Sequence, residues 1–213
     1  RSTRTLAITE AGQLFYDHSK AILNTMETAK IAVKSLKDEV SGTIKIGLPH
    51  AINHLYFTPA LPKFLKKYPQ INIEITQGNH LLSILDKRFD LIMHCGELPD
   101  SSFHYKKLGE WKKVTCASPA YFRKLSKPKS PTDLEEHNCL DHADNLKHTW
   151  QYQVDRKSHH QLISGNIRVN NSNDLKQLAL ASSGVVYLPN FIVWKELENK
   201  SLIHVLEKHE PKP

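Results

Sequence analysis

The chain has 213 residues, 39% of them hydrophobic, which is enough for one large or two small domains with a real core. Lysine and arginine number 29 against 22 aspartates and glutamates, and the net charge of +7 suits a polyanionic partner without proving one. No apolar run is long enough to cross a bilayer, and no signal-peptide pattern opens the chain. Three cysteines, Cys95, Cys116 and Cys139, are an odd and sparse set, which predicts a reducing, cytoplasmic setting rather than a disulfide scaffold.

The opening RSTRTLAITEAG places Arg1 and Arg4 in a short polar run before Thr9, a natural helix N-cap with Glu10 in the first turn. One helix is predicted over 10–38, uninterrupted by proline. Phe15, His18, Ile22, Thr25, Ala29, Ala32 and Leu36 step along it at heptad spacing. The stripe is weak, since His18 and Thr25 are polar. It fits a helix packed on its own domain, or, the reading we favour, one that pairs two copies through Phe15, Ile22, Ala29 and Leu36. Ser41-Gly42 ends the helix. TIKIGLP then alternates as a strand, TPALPKFLKKYP reads as a helix ended before Pro69, and INIEIT is a second strand. LLSILDKR reads as a short helix and FDLIMH as a third strand. Strand, helix, strand, helix, strand predicts a parallel α/β layer.

The second half is less regular. KKVTCAS is a strand, and PAYFRKL opens a helix at Pro119. SPTDLEEHNCL is a turn, a short helix and a strand. KHTWQYQVDRKSHHQLISGNIRVN reads as antiparallel strands around a polar hairpin near Arg156–His160. NSNDLKQLALAS is a helix capped near Asn173 and closed by Gly184. VVYLP is a buried strand, FIVWKEL a short helix and LIHVL a last strand.

Seven pieces occur in one order: RSTRTLAITEAG, GTIKIGLP, TPALPKFLKKYP, FDLIMHCGELPDSS, ASPAYFRKL, PTDLEEHNCL and SGVVYLP. Together they resemble the LysR-type transcriptional regulators, a bacterial family, over nearly the whole chain. The resemblance implies an α/β fold: a two-lobed sensor domain like the periplasmic binding proteins of type 2, preceded by a long linker helix. It implies that residues 1–9 are the end of a winged helix-turn-helix whose recognition helix lies upstream. Residues 10–40 become the linker and dimerisation helix, 41–118 the first lobe, and 119–213 the second. A further strand and helix beyond Pro213 would complete the first lobe. Arg1, Ser2, Arg4 and Thr9 are then expected beside the DNA backbone, where arginines add affinity but little sequence information. The expected partners are DNA, a small-molecule effector and a second copy of the chain, with no membrane and no cofactor. A free-standing solute-binding protein of similar fold is the alternative, although a wing and a dimer helix have no use in one.

In a two-lobed α/β sensor, ligands sit where strands end and helices begin. The candidates for effector binding are therefore Pro49, His50 and Ala51, then Gly78 and Asn79, then His94, Cys95 and Gly96. Ser118 joins them at the entry to the second lobe, and Asn170, Asn171 and Ser172 from across the cleft. His94 stands where the resemblance often has an arginine. A histidine clamps an anion only when protonated, so the effector is expected to be less acidic, or its binding pH-dependent; the plainer reading is a strand-end histidine bonded to backbone. His50 with His54, and His137, Cys139 and His142, raise a metal site, but CxxC, HExxH and paired Cys-His spacings are missing. The expectation is no metal, and unreactive thiols, since redox sensors usually need a second, resolving cysteine. Without a GxSxG elbow, and with eight glycines scattered singly, no catalytic site is expected.

Overall fold

In a computed structural model of the chain, the described residues are 9–35, 40–78, 89–96 and 103–211. The predicted helix over LLSILDKR, and Leu36 of the heptad stripe, lie outside them.

Helix α1 runs over Glu10–Ser35. Thr9 caps it as expected: its Oγ1 accepts from Gly12 N at 3.1 Å, and its carbonyl accepts from Gln13 N at 2.9 Å. The helix exposes Leu14, Phe15, Ile22 and Met26.

The chain divides into two compact units, Arg1–Pro49 with Tyr56–Cys95, and His50–Leu55 with Gly96–Pro213. In the first, strand β1 (Gly42–Leu48) lies between β2 (Ile71–Gln77) and β3 (Leu91–Ile92), all parallel. Alternation along β1 and β2 buries Ile46, Leu48 and Ile71. Parallel neighbours need a crossover between them, and residues 50–67 supply the one from β1 to β2. This segment is α2 (His50–Ile52), a π-helical turn over Asn53–Phe57, and α3 (Thr58–Lys67). Pro59 and Pro62 each withhold an N–H from it.

The second unit is built on a five-stranded sheet in the order β10-β4-β9-β5-β8. These strands are β4 (Lys113–Ala117), β5 (Cys139–His142), β8 (Arg168–Val169), β9 (Val185–Pro189) and β10 (Ile203–Val205). β4 is antiparallel to β9 and β10, whereas β5 is parallel to β8 and β9. Residues 113–117, assigned from sequence to the first lobe, thus belong to the sheet of the second unit. The strand-to-helix junction at Ser118 is a local signal, and it does not reveal which sheet the strand joins.

Apolar side chains fill both faces of this sheet. On one, Val114, Cys116, Leu140, Val186 and Leu188 pack with helices α5 (Ser172–Leu180) and α6 (Asn190–Glu198), and with Ala51. Lys176 and Glu196 join the two helices through a mostly buried ion pair of 3.2 Å. On the other face, Cys139, Val185, Tyr187 and Val205 meet Tyr121 of α4 (Pro119–Lys124), Leu134 of a 3-10 turn (Pro131–Glu136), and a separate hairpin. The hairpin is β6 (Thr149–Val154) with β7 (Lys157–Leu162). Its Trp150 and Tyr152 are buried, and Tyr152 Oη lies 2.7 Å from Thr115 Oγ1, so the buried hydroxyl has a partner. The tail is held by Glu210, whose almost fully buried carboxylate contacts His204 and lies 2.6 Å from Lys112 Nζ.

Two local expectations shift. Asn171, not Asn173, caps α5, its side chain accepting from Asn173 N at 3.0 Å. The left-handed residue after α5 is Ser182, at φ 63°, rather than Gly184. Gly184 is needed for another reason: a Cβ there would stand 2.3 Å from Asn138 O.

Candidate functional site

Register decides which predicted site residues share an edge. In the first unit Leu48 pairs with Gln77, and Gly47 with Ile92, so the carboxyl ends of all three strands fall together. Gly78 N donates to Leu48 O at 3.0 Å, and Met93 N to Gly47 O at 2.9 Å. Pro49, Gly78, His94 and Cys95 therefore follow one edge. Asn79 lies outside the described residues. Gly96, at φ 113°, occupies backbone space that favours glycine. His50 and Ala51 go with the second unit, where Ala51 is buried in the apolar core. Its methyl is a packing group.

In the second unit β5, β8 and β9 point one way and β4 the other. The edge where Asn170, Asn171 and Ser172 follow β8 thus also holds His142 at the end of β5, and Lys113 at the start of β4. The pairs His142–Val169 and Lys113–Pro189 fix this. Ser118, at the far end of β4, lies at the opposite edge. Its hydroxyl caps α4, accepting from Tyr121 N at 3.2 Å, and lies 2.8 Å from Ser182 Oγ. Ser118 and Asn170–Ser172, all expected in the effector site, thus fall at opposite edges of this sheet, because β4 runs antiparallel to its neighbours.

Several groups at the Asn170–Ser172 edge have structural work. His142 bonds the Asn170 backbone and sits 3.3 Å from Asp144 Oδ2, and Asn171 caps α5. Two groups escaped the sequence reading. Lys113 Nζ lies 5.2 Å from the centre of the Tyr187 ring. Desolvation lowers its pKa, against the raising effect of Asp141. Asp141 is itself buried, accepting from Trp150 Nε1 at 3.0 Å and Asn145 Nδ2 at 2.8 Å. Asn173, in the first turn of α5, has a buried side-chain oxygen with no hydrogen-bond partner among the described residues. Such an atom requires an explanation, and a ligand donor is one. Lys113 reads in sequence as an ordinary strand-opening cation, and only the pairing of β4 with β9 brings it to this edge.

Burial disfavours the thiolate at all three cysteines. Burial raises the pKa of Cys95, and drives those of Cys116 and Cys139 up to about 12. The proposed metal ligands point elsewhere: His137 Nδ1 lies 3.3 Å from Tyr121 Oη, and Cys139 Sγ donates to Leu134 O at 3.6 Å. Adjacent residues alternate faces, so His142 is turned away from Cys139. Among the described residues no group of three or more His, Cys, Asp and Glu is placed to hold a metal, and no helix is long and apolar enough to cross a membrane.

The histidines set an acid dependence. Burial, the largest cause, lowers the pKa of His137 and of His142 below the ordinary 6.5, outweighing the raising effects of Glu136 and of Asp144. The unfolded imidazoles therefore take up protons first as the pH falls. Stability is fully present above the unfolded value and is lost as the pH drops through the lower folded ones. We expect the urea midpoint to fall between about pH 7 and pH 5, and His137→Gln to flatten that fall. A midpoint that rises on acidification over this range contradicts the assignment.

Comparison with known proteins agrees with this architecture. Residues 37–212 match the LysR substrate binding domain. An HTH-type transcriptional regulator of Haemophilus influenzae is 28% identical over 211 residues, covering 99% of this chain and 73% of that protein. The HTH-type transcriptional regulator YhjC of Escherichia coli is 28% identical over 216 residues, covering all of this chain and 72% of that protein. Among solved structures, the full-length Vibrio cholerae virulence activator AphB superposes with a TM-score of 0.74 at 25% identity, over all of this chain and 73% of its own. The chain belongs to the LysR family of transcriptional regulators and contains its effector-binding domain. The family is one of regulators rather than enzymes, and membership sets aside a free-standing solute receptor.

Proposed function

We propose that the chain senses a small metabolite, held by the carboxyl edges of both sheets, and couples its binding to DNA through a homodimer. Pro49, Gly78, His94 and Cys95 line the first side on this reading, with Asn79, outside the described residues, next in sequence; His50 and Gly96, which group with the second unit, adjoin them along the chain. Asn170, Asn171 and Ser172 line the second, joined by Lys113 and Asn173. The observation that carries it is the edge at the start of α5. There a helix N-terminus, an orphaned buried amide oxygen and an ammonium lie on the side of the sheet where such folds take ligands. A small hydroxy or amino acid suits this edge: its carboxylate is favoured by the α5 amides and by the positive field of Lys113, and its hydroxyl or amine can donate toward Asn173 Oδ1. Effector binding shifts the balance between lobe arrangements, and α1 pairs transmit that shift to the DNA-binding heads. Arg1, Ser2 and Arg4, outside the described residues, contact the DNA backbone. Thr9 ends that segment with its hydroxyl committed to capping α1.

The test is a thermal-shift screen of small hydroxy and amino acids. A ligand at 100 times its Kd stabilises by about 2.7 kcal/mol, a shift of several degrees. A screen in which neutral sugars raise the melting temperature and no acid does overturns the assignment of the ligand class.

A further inference from the structure

We infer that the loop Arg123–Lys129 of the second unit is a docking edge for nucleic-acid phosphates, separate from the effector site and independent of that reading. Arg123, Lys124, Lys127 and Lys129 put four cations into seven residues, all four exposed, and none makes an ion pair with a described residue. No nearby acid forms an ion pair with these cations among the described residues. Asp133 accepts from the backbone of Lys129 at 2.7 Å and of Ser130 at 3.0 Å, and from Ser130 Oγ at 2.8 Å. Glu135 accepts from Gln161 Nε2 at 3.3 Å, and Glu136 acts on His137.

The loop is also held rigidly at both ends. Tyr121 is buried, its hydroxyl accepting from Asn138 N at 3.0 Å. Pro128 is buried, and the Ser130–Asp133 capping box fixes the next turn. Arg123 and Lys124 lie in the last turn of α4, where cations complement the helix dipole, but Lys127 and Lys129 lie beyond it and gain nothing there. Four clustered cations that form no ion pair with a described carboxylate match a polyphosphate, which is bound by counterion release without sequence reading. In a chain of the LysR regulator family, DNA is the polyanion at hand.

The experiment measures binding of this chain to a labelled non-specific 20-base-pair duplex by fluorescence anisotropy, between 50 and 200 mM salt. Three proteins are compared: the wild type, the triple variant Arg123→Gln/Lys124→Gln/Lys127→Gln, and a matched control, Lys63→Gln/Lys66→Gln/Lys67→Gln on α3. Each phosphate contact contributes about 0.9 to the slope of log K against log salt. The loop variant should therefore be shallower by about 2 to 3, and across that salt range the wild type should lose about 40-fold more affinity than the variant. The control should move the slope by less than about 1. A charge-keeping exchange, Arg123→Lys/Lys124→Arg/Lys127→Arg, should retain the wild-type slope, which separates charge from damage to α4. Equal losses in both glutamine triples reduce the effect to net charge and overturn the proposal. So does an unchanged loop variant, and so does a wild type that binds polyglutamate but not the duplex, which points to an acidic protein instead.

Discussion

Serine at both Phe15 and Ile22 is expected to leave the chain monomeric where the wild type is a dimer. The two side chains are seven residues apart on α1, and are 76% and 68% exposed on a single chain. Leu14 and Met26 extend the apolar surface beside them. A helix of 26 residues spans about 39 Å, and its exposed apolar groups from Leu14 to Met26 cover about 18 Å of it, surface that is unfavourable in water. Burying a phenylalanine or isoleucine is worth at least about 1.5 kcal/mol, and a symmetric dimer buries each twice. Losing four such contacts costs about 6 kcal/mol, or a factor of about 10⁴ in the dimer constant. Sedimentation equilibrium at micromolar concentration should show the mass halved. Serine at Gln13 and Lys20 controls for helix propensity and should leave the dimer intact. A double variant that sediments like the wild type moves the subunit contact away from α1.

Replacing Lys113 with glutamine should weaken the acid found by thermal shift about 10- to 100-fold, while chemically similar neutral compounds are unaffected. A hydrogen bond to a charged group contributes about 1.5–3 kcal/mol, and glutamine keeps a donor but loses the charge. The substitution also removes a cation that acts on Asp141, so calorimetry must be paired with a melting curve. Asp141 keeps its bonds to Trp150 and Asn145, so the fold should hold. Equal weakening of acid and neutral analogue makes Lys113 a packing residue of the Tyr187 face.

Local patterns carried most of the element order. Ile44, Ile46 and Leu48 alternate, Thr9 caps a long helix, and VVYLP is apolar throughout, so β1, α1 and β9 needed no tertiary information. Pairing between distant strands is what the sequence withheld. KKVTCAS reads identically whether it joins β1 or β9. Its antiparallel placement puts residues 113–117 in the second unit, Ser118 at the opposite edge, and Lys113 at the same edge as His142, one strand apart across β9. Ala51 was misread for a similar reason: it follows a strand end of one unit but packs in the core of the other. Asn173 was noticed as a cap, yet Asn171 takes that role, which leaves the Asn173 oxygen unpaired. FDLIMH narrows to the two-residue β3, because only Leu91 and Ile92 pair with β1.

Amide chemical-shift mapping of the chain, titrated with the acid that raises its melting temperature, tests the central claim most directly. The account predicts saturable shifts at Gly78, Cys95, Lys113, Ser172 and Asn173, which lie at the two carboxyl edges, and little change at Ser118 or Ser182 on the far side of the second sheet. Shifts centred on Ser118 and Ser182, with Ser172 and Asn173 unmoved, would contradict it.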